Sequence, residues 1–362
     1  MNNIKAFILF FGTASFIFYL FSFFTIMMLN VLLEKKLPLK HIFGISGIIL
    51  AVFYILMFTG RGFHINFLWN LSFYLAVLIM YVFFLAVLIK LVSIPFHFSP
   101  NLNLIILAVS VIFIFVYGFY NAAKLTVRTI DITSDKVTKP YKFVQISDVH
   151  LGTESLHFLE NIIGRINEIS PDLVFITGDL LDDDNLKPED IKVFSKMKTS
   201  AYFITGNHER YLQNSDDFFK DCKVVKSLDH SRRYDIFNDE ITVYGLEWNR
   251  NNVMNKKSEQ AVYFDEIETD RNKFNVFLNH EPALYEEAES EGMDLMLSGH
   301  THNGQIFPFW LFVRMRYKYM HGLYDIGKMK LYVTSGTGVW GPFMRVLTEN
   351  EIVIINLVPM KK

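Results

Sequence analysis

The chain has 362 residues, room for two domains or one large one, and 51% of them are hydrophobic, high for a water-soluble protein. The charge is divided: residues 1–124 carry seven basic side chains and one acid, a formal +6, while the remainder carries 28 basic and 36 acidic residues, a formal −8. An acidic C-terminal part lacks the basic field of a nucleic-acid binder, and the single cysteine, Cys222, excludes an intramolecular disulfide without fixing the compartment.

Four apolar runs, roughly 6–33, 42–58, 67–89 and 102–120, fill the first third. Each approaches or exceeds the ~20 residues that cross a hydrocarbon core as a helix. None contains Asp, Glu, Lys or Arg, the residues a membrane interior excludes. A helix on a soluble core would keep a polar face, and these runs have none. Gly44, Gly47 and the aromatic ends (Tyr19, Trp69, Tyr74, Tyr81, Tyr117, Tyr120) suit membrane helices and interfacial belts. A cleaved signal peptide would explain only the first run, which is too long for it. The expectation is a transmembrane domain of about four helices over residues 1–124. It reads as an anchor, since a transporter would carry intramembrane charge. His41, His64 and His97 fall in the turns.

The 34–41 and 90–101 turns hold four basic residues, against two at the N-terminus and the 59–66 turn. That count places the first pair in the cytoplasm and the C-terminal domain outside. Including Lys124, Arg128, Lys136 and Lys139 reverses it to six against four. Long domains translocate largely regardless of charge, so the short turns are given the vote.

Residues 125–140 are polar, end at Pro140 and read as a linker. Beyond them, short β-rich runs alternate with helix-like stretches, the pattern of an α/β domain. The predicted strands are 141–147, 172–177, 201–205, 241–245, 274–279, 294–298, 331–335 and 352–358; the predicted helices lie near 155–169, 188–198, 214–221 and 282–291.

Five of these strands run into a small-residue turn bearing Asp, Asn or His. The turns are Asp148-Val149-His150, Gly178-Asp179, Gly206-Asn207-His208-Glu209, His280-Glu281-Pro282 and Gly299-His300-Thr301-His302. Ligands of open α/β sheets bind beyond the carboxyl ends of strands, so these turns should converge. Two carboxylates, one carboxamide and four imidazoles form a mixed O/N donor set suited to Mn, Fe or Zn rather than Ca or Mg. Seven such donors are too many for one tetrahedral site. They fit two adjacent divalent metal ions, the arrangement that clamps attacking and leaving oxygens in phosphoryl displacement.

Taken in order, these motifs resemble the calcineurin-like metallophosphoesterase superfamily, over about residues 141–358. The stretches Leu297 to Gln305, Gly336 to Gly341 and Pro342 to Arg345 are similar to its membrane-associated bacterial branch, the YkuE and YaeI phosphoesterases. Asn303 stands where that pattern usually has Gly, and Phe343 where a smaller residue is commoner; neither is a ligand position. The resemblance implies a four-layer α/β/β/α sandwich. It also implies that Asp148, His150 and His302 hold one metal, that Asp179 bridges, and that Asn207, His280 and His300 hold the other. His208 would be the catalytic acid and a metal-bridging hydroxide the nucleophile. The expected activity is hydrolysis of a phosphate ester or pyrophosphate bond, on a lipid-linked or cell-envelope substrate in view of the anchor. The competing readings are a membrane regulator with a vestigial metal site and a transporter with an appended domain.

Other features weigh less. His157, His230 and His321 match no motif. Gly336-x-Gly338-x-x-Gly341 spells a dinucleotide fingerprint, but Pro342 follows and no βαβ unit can. It reads instead as a loop near the metals with Arg345 facing phosphate. The aromatic and basic segment 307–324 reads either as a flap touching bilayer or lipid or as an excursion packed on the domain.

Overall fold

The computed structural model describes residues 2–63, 65–183, 185–212, 218–219, 222–228, 233–248 and 268–360. The chain divides into two compact units, residues 1–118 with 341–343, and residues 119–340 with 344–362.

The first unit is helical: α1 (Asn2–Leu32), α2 (Leu39–Gly62), α3 (Asn66–Phe96) and α4 (Pro100–Ala123). All four contain stretches long and apolar enough to cross a membrane. Their outward side chains, such as Phe16, Ile55 and Phe113, are more than half exposed, which water would penalise and lipid would not. Ser22, Thr25, Ser46, Ser72 and Ser93 satisfy their hydroxyls on carbonyls of their own helix, three or four residues back. A polar group in hydrocarbon must find such a partner. α3 continues through Lys90, which the sequence reading places in a turn. Lysine near a span's end can bury its stem and carry its ammonium to the interface.

The second unit contains two six-stranded mixed sheets. The first has the order β1-β12-β2-β3-β4-β5, from β1 (Leu125–Ser134), β2 (Tyr141–Ile146), β3 (Leu173–Thr177), β4 (Ala201–Ile204), β5 (Val225–Ser227) and β12 (Asn350–Pro359). The second has the order β10-β11-β9-β8-β7-β6, from β6 (Arg233–Ile236), β7 (Ile241–Leu246), β8 (Phe274–Asn279), β9 (Leu295–Ser298), β10 (Gly322–Ile326) and β11 (Met329–Val333). Phe143, Phe175 and Ile355 of the first sheet share a buried core with Val243, Val276 and Leu297 of the second. The outer face of the first sheet is covered by α5 (Leu156–Ile169) and the 3-10 turn Asp190–Lys196. That of the second packs on α6 (Tyr285–Ser290). The layers are therefore α/β/β/α, as expected.

Several differences stand out. Residues 125–134, read as linker, form β1, which pairs in parallel along its whole length with β12. Its sequence, Leu-Thr-Val-Arg-Thr-Ile-Asp-Ile-Thr-Ser, alternates as an edge strand does, with Ile132 in the inter-sheet core. The short edge strands β5, β6 and β10 carry too few apolar residues to announce themselves. The helix expected near 188–198 is a 3-10 turn. Most of the one expected near 214–221, and His230, lie outside the described residues. After the turn at 302–304 the chain forms α7 (Trp310–Arg316) before reaching β10.

Candidate metal centre

The parallel strands β2, β3 and β4 of one sheet and β8 and β9 of the other all deliver their following turns to one region. β2 leads to Asp148 and His150, β3 to Asp179, β4 to Asn207 and His208, β8 to His280, and β9 to His300 and His302. Five of these residues have left-handed backbone: Asp148 (φ 52°), His150 (53°), Asp179 (52°), His300 (69°) and His302 (47°). That conformation costs about 1–2 kcal/mol for a residue with a side chain; such strain collects at functional sites. Gly178, at φ 91°, has no alternative: a Cβ there would come within 2.6 Å of His280 Nδ1. Glu209 fastens the turns after β3 and β4 to each other. Its carboxylate accepts the N–H groups of Asp179 (3.0 Å), Leu180 (2.6 Å), Leu181 (2.8 Å) and Gly206 (2.7 Å).

The seven sequence-predicted donors all come together. In one group His150 Nε2 lies 3.0 Å from His302 Nε2, itself 3.4 Å from Asp148 Oδ1. In the other His280 Nε2 lies 3.2 Å from Asp179 Oδ2, 3.1 Å from His300 Nδ1 and 3.2 Å from Asn207 Oδ1. The groups meet where the backbone N–H of His300 donates to Asp148 at 3.0 Å.

The electrostatics favour a cation. Burial, reinforced by neighbouring imidazoles, pushes His300 and His302 down, so both keep free electron pairs near neutral pH. Burial also works to lower His280, but the Asp179 carboxylate outweighs it and pushes the imidazole up to about 10. The pair thus draws positive charge to His280 Nε2. His280 Nδ1 donates to the Thr177 carbonyl at 2.8 Å, a bond that fixes the ring with Nε2 facing the other donors. The donor atoms of Asp148, His150 and His302 lie within 4.8 Å of one another, as do those of Asp179, His280 and His300 and those of His150, Asp182 and His208; with the Asn207 carboxamide beside His280, these are the chemistry of borderline divalent cations. The residues fit the metals that the sequence implies.

His208 stands beside both groups, its Nε2 3.9 Å from Asp179 Oδ2 and its ring centroid 4.6 Å from that of His150. Its Nδ1 lies 2.5 Å from Asp182 Oδ1. Asp182, which the sequence reading missed, also faces His150 Nδ1 at 3.6 Å and accepts from Thr153 Oγ1 at 2.9 Å. Burial opposes the charge on His208, but Asp179 and Asp182 prevail and push it up to about 9. The one available signal for Asp182 is its position three residues after Asp179, and it is masked by the run Asp182-Asp183-Asp184.

Arg345 contradicts expectation. It is fully buried and donates to the carbonyls of Ser335 (2.7 Å), Gly338 (2.7 Å) and His302 (3.3 Å), so it braces the glycine loop and does not face phosphate. Trp340 on that loop is 45% exposed, its ring centroid 6.1 Å from that of His208. Tyr317 places its ring 5.4 Å from His300 and donates its hydroxyl to Glu281 at 2.9 Å. His321 pairs with Glu351 at 3.1 Å and, among the described residues, belongs to no donor group.

Comparison with known proteins agrees with this fold. The model of the calcineurin-like phosphoesterase family matches residues 141–304. The chain is 36% identical over 276 residues to an uncharacterized metallophosphoesterase of Campylobacter jejuni, covering 71% of this chain and 69% of that one. It is 30% identical over 265 residues to a transmembrane protein with metallophosphoesterase domain of Danio rerio, covering 67% of this chain and 60% of the relative. It is 28% identical over 232 residues to the uncharacterized metallophosphoesterase YkuE of Bacillus subtilis, covering 60% and 79%. The chain belongs to the calcineurin-like metallophosphoesterases, a metal-dependent family of phosphoester hydrolases.

Proposed function

We propose that the protein is a multi-pass membrane phosphoesterase that hydrolyses phosphate ester or pyrophosphate bonds of lipid-linked or cell-envelope substrates with two divalent cations, Mn, Fe or Zn. The observation that carries this reading is the convergence of seven O and N donors from two sheets into two clusters beside one histidine. Asp148, His150 and His302 would hold one cation and Asn207, His280 and His300 the other, with Asp179 between them. Bound there, the cations would supply Lewis acidity toward phosphoryl oxygens and lower the pKa of an attacking water.

The chain's own residues do the rest. His208, its Nδ1–H held by Asp182, presents Nε2 toward the site and carries a proton there at neutral pH. It delivers that proton to the departing oxygen, which as an alkoxide would leave poorly. The braced loop 336–341 sets Trp340 at the edge beside His208, where the departing group emerges. The four apolar helices keep the site at a bilayer, where a lipid-linked phosphate is concentrated. We take the catalytic domain to begin at Leu125 rather than Tyr141 and to lie on the extracytoplasmic side, as the short-turn charges indicate.

The test uses the full chain in detergent, supplied with Mn²⁺ and offered aryl phosphate mono- and diesters and nucleotide-linked lipids. Hydrolysis that Asp179→Asn abolishes is expected. Equal activity of that variant would overturn the metal-assisted mechanism.

A further inference from the structure

The segment between the metal-site turn and β10 leaves a face that water does not suit. Phe309 (43%), Leu311 (49%), Phe312 (65%) and Met315 (84%) are exposed, and α7 buries none of its residues. Leu347, 66% exposed, lies beside the start of this segment: Phe307 N–H donates to the Val346 carbonyl at 3.2 Å, and Leu347 lines one cavity with Phe307, Trp310 and Arg314. Arg314, Arg316 and Lys318 border it. Among the described residues none of the three pairs with a carboxylate; Arg316 and Lys318 lie over the rings of Tyr317 and Tyr319. The face therefore carries local positive charge on a part of the chain whose formal charge is −8.

We propose that this face, residues 307–318 with Leu347, docks on an anionic bilayer surface. Two observations select that occupant. Apolar side chains flanked by Arg and Lys that meet no carboxylate among the described residues match the acyl boundary and the anionic headgroups of one leaflet. The same chain carries four helices apolar enough to span a membrane, so a bilayer is always within reach and the face meets it at high effective concentration. The segment is also fastened to the metal centre at its far end: Tyr317 packs by His300, and Thr301 Oγ1 donates to the Met320 carbonyl at 2.6 Å. Docking therefore brings the site to headgroup level. The inference goes beyond the proposed activity and does not require turnover.

The experiment uses the full chain with Cys222→Ser and a single bimane-labelled cysteine at Phe312→Cys or Met315→Cys, with Glu168→Cys as reference, in nanodiscs holding one copy. All three positions are exposed, so labelling leaves the core intact. In discs containing phosphatidylglycerol, labels at 312 and 315 should be quenched by shallow doxyl lipid and shielded from iodide, unlike the label at 168. Arg314→Gln with Arg316→Gln should lower the docked-to-undocked ratio roughly thirtyfold, by removing two surface charges. Iodide access at 312 and 315 equal to that at 168 overturns the proposal. Shielding that arises only when two copies share a disc assigns the face to a second copy and overturns it equally.

Discussion

His208 has one ring nitrogen committed to Asp182 and the other turned toward Asp179, so its proposed role as an acid depends on a residue that need not touch substrate. Asp182→Asn should lower turnover about 10- to 100-fold at saturating metal, read by steady-state kinetics beside elemental analysis. His208→Gln should cost about 10²–10⁴-fold on an alkyl phosphate ester and far less on a nitrophenyl ester, whose leaving group needs no proton. Equal losses on both esters would count against the acid role. The donors themselves were legible because each follows a β-rich run, and strand ends are where an α/β sheet exposes side chains. Asp182 was not, since a triple aspartate reads as a solvated loop. Arg345 was legible as a residue near the site and misleading as to its role. Nothing in a sequence says that a guanidinium will spend its donors on Ser335 and Gly338 carbonyls.

At the scale of elements, β12 lies between β1 and β2 in the first sheet and carries Glu351, whose side chain is 1% exposed. It meets Arg128 of β1 at 3.0 Å, His321 at 3.1 Å and Thr334 at 2.8 Å. Burial works to raise this carboxyl, but His321, Thr334 and the Ser335 N–H outweigh it and hold it at about 2, below the ordinary 4.5. A carboxyl depressed in the folded state stabilises the fold above its unfolded value, and that contribution disappears as pH falls through the folded value. Glu351 should therefore contribute about 3 kcal/mol near neutral pH, lost between pH 4.5 and about 2. The advantage of the parent over Glu351→Gln in chemical denaturation should shrink across that window; a constant difference would contradict it. The strand opposite, β1, escaped the sequence reading because an edge strand buries only alternate residues. Its Thr, Arg and Asp look like a tether until Ile132 is seen in the core. The central strands β2, β3 and β8 were legible because they are buried along nearly their whole length.

For the whole molecule, the four apolar helices were legible from composition, because hydrocarbon and water select such different sequences; the α/β domain was legible from its alternating strands and helices, and its two-sheet layering only from the family resemblance. The side on which the domain lies rests on a few lysines. A membrane-impermeant maleimide should label a Glu168→Cys variant in intact cells, as expected of an extracytoplasmic domain; protection until lysis would place it in the cytoplasm.

The ligand set has a mechanical meaning as well. Asp148, His150, Asp179 and Asn207 hang from one sheet, and His280, His300 and His302 from the other. Neither sheet owns all the donors of either proposed cation, so cations held there would rivet together two layers that otherwise adhere through apolar contact. Metal should then stabilise the domain by about 2.7 kcal/mol per site at a hundredfold excess over the dissociation constant, and raise its thermal midpoint in a concentration-dependent way. Calorimetry of the full chain with and without chelator would show it. Asp179→Asn should blunt the response even where no substrate is known, which makes melting a route to the physiological metal that bypasses the search for the reaction.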